Sequence, residues 1–262
     1  MNHATLRTCA TRVLAIAAAL TVSIAHADTA SPIIHVYGPG GPAPAMEEAA
    51  HAYGQAHHVV IEVTAGPTPM WLDKAKADAD VVFSGAENMM SAYAKALPGA
   101  FDLREAEPLF LRPAAILVRP GNPKGIKGFR DLLAPGVKVL TVEGAGQVGL
   151  WEDVAGRTGD ISMVRMLRKN VVLPEAANSA AAKDQWVAQK DIDAWLIWNI
   201  WQVSNPTLAQ VVPLDEPFRI YRDAGVVLTS RGKEEPQARG FVEFLESPAA
   251  AAIFARWGWS TR

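Results

Sequence analysis

Cysteine is almost absent from this sequence: Cys9 is the only one. It precedes the first apolar run, so the chain can close no internal disulfide and assemble no thiolate metal site. Neither C-x-x-C nor H-x-x-x-H spacing occurs, which removes the common zinc patterns. Beyond residue 30 the histidines are His35, His51, His57 and His58, and the His57-His58 pair precedes a strand pattern, where a solvated loop accounts for it. No metal and no cofactor is expected. Ser84 stands outside any G-x-S-x-G motif and no neighbouring base is evident, so an enzyme is not expected either. Basic clusters are missing as well: 25 Lys and Arg face 27 Asp and Glu, a formal net charge of −2, which argues against nucleic acid as a partner. After residue 30 no apolar run approaches the roughly 20 residues that span a bilayer, so a membrane-embedded protein is not expected.

The N-terminus does carry a signal. Arg7 and Arg12 form a positive region without acids, residues 13–24 (VLAIAAALTVSI) form a short apolar run, and Ala25-His26-Ala27 fits a small-x-small cleavage box. Residues 1–27 therefore read as a signal peptide cleaved after Ala27, with export to the periplasm. Cleavage removes Cys9 and two arginines but no acid, leaving an acidic, cysteine-free chain that its core alone must hold together. About 235 residues remain, enough for one large domain or two modest ones.

Short β-branched runs alternate with helical periods, an α/β pattern. Strands are expected at 33–37, 59–63, 80–83, 114–118, 137–142, 171–173, 194–197 and 224–229. Helices are expected at 45–53, 70–77, 89–97, 150–154 and 179–187, with 237–257 mostly helical. In the second of these, Thr68 would be the N-cap and Pro69 the first helical residue. Ser84 and Glu87 fit a capping box before the third. Three strand–turn–helix units in succession predict a parallel sheet with helices on its faces.

In such a sheet the turns after the strands gather at one edge, where ligands bind, and helix N-termini there offer unpaired N–H groups to an anion. Gly40, Gly41, Thr68, Ser84, Gly85, Gly144, Ala145, Gly146 and Gln147 occupy these turns. Each alternatively serves only as a turn or a cap. The run from Gly144 to Gly149 also fits G-x-G-x-x-G, but the acid that a dinucleotide site needs about 20 residues on is replaced by Arg165, Arg168 and Lys169. Close approach to a smaller anion uses the same glycines. Eight tryptophans are present. Trp195 and Trp201 read as core, whereas Trp198 and Asn199 stand where a strand yields to a helix and can reach a cleft as uncharged donors. Arg222, at a return crossing, either reaches the ligand or pairs with Asp223.

Five runs carry a family resemblance: YGPGGPAPA at 37–45, AGPTP at 65–69, VFSGAENMM at 82–90, LWED at 150–153 and WLIWNIW at 195–201. The chain resembles the accessory colonization factor AcfC family, itself similar to the molybdate- and sulfate-binding periplasmic proteins of ABC importers. The resemblance covers nearly the whole mature chain. It implies a type II periplasmic-binding fold, α/β, with two lobes, a ligand cleft between them and two hinge crossings. Lobe one would be 28–117 plus 221–262 and lobe two 118–220, with crossings near Leu117 and Tyr221. The relatives' signature serine maps onto Ser84. Their first-loop serine falls in residues 38–41, where this chain offers only glycine, proline and backbone, so molybdate is not carried over. The expected function is capture of a small oxyanion, sulfate-like, by a monomer that delivers it to an ABC permease or a chemoreceptor. The alternatives are a small organic carboxylate, or a colonisation-related interaction protein without a transport role.

Overall fold

The computed structural model describes Met1 and residues 33–261. The expected signal peptide, apart from Met1, and its cleavage point lie outside the described residues. In chain order the elements are β1 (Ile33–Gly38), α1 (Ala43–His57), β2 (Val60–Ala65), α2 (Leu72–Asp78), β3 (Val81–Phe83), α3 (Glu87–Ala96) and β4 (Glu107–Val118). There follow β5 (Val139–Leu140), α4 (Leu150–Gly156), α5 (Ile161–Asn170), α6 (Ser179–Ala188), β6 (Ala194–Trp198), α7 (Ile200–Val203) and β7 (Gln210–Pro213). The chain ends with β8 (Tyr221–Leu228), α8 (Ser230–Glu234), α9 (Pro236–Leu245) and α10 (Pro248–Arg256). Among the described residues no helix is long and apolar enough to cross a membrane.

Helical crossovers α1 and α2 force β1, β2 and β3 into parallel pairing, with β1 in the middle. The sheet order is β2-β1-β3-β8-β4-β6-β5, and β8 runs antiparallel to both β3 and β4. β4 is the spine. From Glu107 to Pro113 it pairs with β8, and from Ala114 to Val118 with β6, while β7 joins it from Ala115. One strand therefore belongs to both lobes, and its partners change between Pro113 and Ala114. Alternate side chains of β4 (Phe110, Arg112, Ala114, Ile116 and Val118) are all buried.

The elements differ locally from the sequence expectation. Residues 107–113 extend β4 upstream because β8 returns to cover them. Residues 171–173 form no strand; Val171 makes one isolated bridge to Val139. The C-terminal helix is two helices, since Pro248 starts α10 with Ser247 capping the Ala250 N–H. Thr68 caps nothing: it opens a single 3-10 turn, and α2 starts from Trp71. Nor does Ser84 cap α3, whose N-cap is Ala86. Just past β3, the Ser84 N–H still bonds the Gly225 carbonyl of β8 at 2.8 Å, so the helix begins too late for the expected capping box.

Candidate functional site

Loops from both lobes enclose a cavity of about 140 Å³. The parallel-strand half of the sheet supplies Pro39 to Pro42 after β1, Gly66 to Thr68 after β2, and Met89 of α3. The stretches around β5 and β6 supply Ala145 to Gln147, Asn178 to Ala180 at the start of α6, and Trp201 of α7. Arg112 of the shared strand completes the lining.

Sequence reasoning missed Arg112, and it sets the electrostatics. It is 2% exposed. Its Nη2 donates to the Gly85 carbonyl, its Nε has no partner, and among the described residues no carboxylate forms an ion pair with it. The guanidinium lies over two indoles instead, 4.9 Å from the Trp198 ring and 5.2 Å from the Trp259 ring. Burial pushes its pKa down to about 9, against a raising influence of Asp223 and a further lowering by Arg222. Arg112 is thus a cation at neutral pH whose charge is left without a counter-ion, an arrangement that costs several kcal/mol unless an anion relieves it.

The turn glycines make room for this cation. A Cβ on Gly41 would stand 3.0 Å from Nη1, one on Gly85 2.8 Å from Nη2, and one on Gly146 3.1 Å from Nη2. Three separate loops have no side chain where the guanidinium lies. Close backbone approach, expected for the ligand, is made to Arg112.

Uncharged donors surround it. The Trp201 indole N–H is buried without a partner, so this residue, read as core from sequence, lines the cavity. At α6 the Asn178 side chain caps the Ala181 N–H at 2.9 Å. Ser179 and Ala180, which line the cavity, keep the unpaired N–H groups of a helix start, where the helix dipole favours an anion. Ala145 holds φ at +54°, a left-handed conformation costly for a residue with a Cβ. The Asn88 amide holds it there by donating to its carbonyl at 3.0 Å.

Of the residues chosen from sequence, Gly40, Gly41, Thr68, Ala145, Gly146 and Gln147 meet in the cavity lining. Gly85 lies one layer beneath, against Arg112. The others stand elsewhere. Ser84 is fully buried and its hydroxyl has no partner; it lies on the Gly225 side, where a Cβ on Gly225 would be 3.2 Å from it. Gly144 packs against the Ala177 carbonyl, which fills the space a side chain would need. Trp198 is fully buried beneath Arg112, and its indole N–H reaches the Gln147 amide oxygen at 3.3 Å in the orientation that satisfies both. Asn199 is turned to the Gly258 carbonyl at 2.7 Å. Arg222 pairs neither with Asp223 nor with the cavity: it bonds Asp153 of α4 at 2.7 Å. Among the described residues no group of three or more His, Cys, Asp or Glu side chains is placed to hold a metal ion.

The family model for bacterial extracellular solute-binding proteins matches residues 34–260. The chain belongs to this family. No curated protein matches it by sequence. Solved structures place this solute-binding protein more finely. Peb3 from Campylobacter jejuni is 32% identical with a TM-score of 0.81, covering 87% of this chain and 100% of its own. PEB3 bound to L-phospholactate is 33% identical with a TM-score of 0.82 at the same coverage. The sulfate-binding protein SubI from Mycobacterium tuberculosis, 20% identical with a TM-score of 0.72 over 87% of this chain and 86% of its own, shares the fold. The fold is that of type II periplasmic-binding proteins, and the cavity lies where its two lobes meet.

Proposed function

We propose that this protein captures a small organic anion, a carboxylate or phosphate ester of about three carbons, between its lobes in the periplasm. Its anionic head sits on Arg112 and Trp201, and its short tail rests against Pro39, Pro42, Pro67 and Met89. The observation that carries the reading is the buried, unpaired guanidinium on the cavity wall. At about 4 Å and an effective dielectric of 20, a bound anion gains about 4 kcal/mol from such a charge. The α6 start and the neutral donors suit a second negative group from the opposite lobe, so a doubly charged ligand would draw the lobes together. L-Phospholactate, the ligand of the 33%-identical relative, belongs to this class.

Lobe one is then residues 28–117 with 221–262 and lobe two 118–220. We place the first hinge crossing near Leu117, a few residues after β4 changes partners between Pro113 and Ala114. Delivery to an ABC permease or a chemoreceptor follows from this reading, as do cleavage after Ala27 and action as a monomer without catalysis.

A second reading, inorganic sulfate, is favoured by the small cavity. An engineered pocket of about 150 Å³ holds benzene, so roughly six non-hydrogen atoms fill such a space. Titration calorimetry against L-phospholactate, lactate and sulfate separates the two. Heat with either organic acid at micromolar concentration supports the first reading. Heat with sulfate alone moves the assignment to the second. Silence with all three leaves the interaction-protein alternative.

A further inference from the structure

We infer that residues 257–261, at the C-terminus, are part of the ligand-binding machinery, with Trp259 a positioning residue that aims Arg112 into the cavity. The inference rests on the anion reading given above. After α10 the chain folds back on itself: the Trp259 N–H bonds the Phe254 carbonyl at 3.1 Å and the indole packs edge-on against Phe254 at 5.8 Å. Trp259, 4% exposed, is held there as one of the two indole faces against the Arg112 guanidinium. The next residue, Ser260, exchanges both backbone hydrogen bonds with Leu111, at 3.0 and 2.6 Å. The tail is therefore strapped to β4 immediately beside Arg112.

The same segment reaches the second donor. The Gly258 carbonyl accepts from Asn199, which stands before α7, and α7 carries Trp201 with its unpartnered indole N–H. Gly258 holds φ at +86°, and a Cβ there would sit 3.0 Å from the Asn199 amide nitrogen, so this contact needs glycine. Gly258, Trp259 and Ser260 thus touch the mounts of both donors without lining the cavity themselves.

The choice of an indole matters. A carboxylate at this place would also steady a guanidinium, but it would neutralise the charge and compete with the ligand. An aromatic face holds the cation and leaves its charge available.

The test uses the mature chain with Trp259→Phe, which keeps an aromatic face, and Trp259→Leu, which does not. Calorimetry uses L-phospholactate and sulfate as probes, and proton–nitrogen NMR follows the Arg112 Nε–H, assigned through Arg112→Lys. The phenylalanine variant is expected to bind within about threefold of wild type, and the leucine variant about tenfold or more weakly. The Arg112 resonance of the ligand-free protein should lose the Trp259 share of its ring-current shift only in the leucine variant, the share from Trp198 remaining. Equal affinities for the two variants, or an Arg112 resonance unmoved by leucine, would overturn the inference. Should the leucine variant fail to fold, Asn199→Ala replaces it: binding weakened about threefold or more supports the strap, and unchanged binding refutes it. If wild type binds neither probe, the anion reading falls, and the resonance alone decides whether Trp259 positions Arg112.

Discussion

At the scale of single residues the site is a cation made bare. Among the described residues no carboxylate is bonded to Arg112, Asp223 acts on it only from a distance, and three glycines leave it space. Gly85→Ala should therefore push the guanidinium aside, weakening anion binding about tenfold or more and costing about 1–3 kcal/mol of stability, read by calorimetry and chemical denaturation. Protonation gives a second check. Burial sets the Arg112 pKa at about 9, below the ordinary arginine value. A bound anion favours the protonated form, so affinity is full below that pKa and declines above it. Titrations at successive pH values should give a level dissociation constant from about pH 7 to 8 and about tenfold weakening per unit well above pH 9. A constant affinity up to pH 10.5 would mean that the guanidinium stays protonated there in spite of its burial.

At the scale of elements, one helix start faces the cation from the opposite lobe. Asn178→Ala removes the cap of α6 and should cost about 1 kcal/mol in thermal unfolding. It should also loosen the Ser179 and Ala180 N–H groups enough to weaken a doubly charged ligand more than a singly charged one in calorimetry. The elements were largely legible in the sequence, because their hydrophobic periods are clean: β1, β2, β6, α4 and α6 fall within a few residues of their expected places. The misses share a cause. Thr68 and Ser84 have the right chemistry for caps, but where a helix begins depends on how far the preceding strand stays paired, which is a tertiary matter. β4 was read as five residues because Arg112 and Pro113 interrupt its apolar run, and the β8 partner that sustains it lies about a hundred residues away. A signal for Arg112 was nevertheless there. It shares the alternation of Phe110, Ala114 and Ile116, and a strand that buries those side chains on one face buries the arginine with them.

At the scale of the molecule, two lobes close a cavity whose parts come from seven stretches of chain. The sequence supported the turns meeting at an edge. It could not reveal that Trp198, Asn199 and Arg222 turn away, since each is claimed by a partner distant in sequence: Gln147, Gly258 and Asp153. The charge without a counter-ion links stability to function. Replacing a buried ion pair by apolar side chains of similar volume is often neutral or stabilising, by about 1–4 kcal/mol, and a buried charge outside any ion pair has less attraction to lose. Arg112→Met, compared with wild type by calorimetry against L-phospholactate and by thermal unfolding without ligand, tests the account most directly. The account predicts anion binding weakened by about a hundredfold or more together with an unchanged or raised melting temperature. A methionine variant that still binds the anion within about threefold of wild type would contradict it.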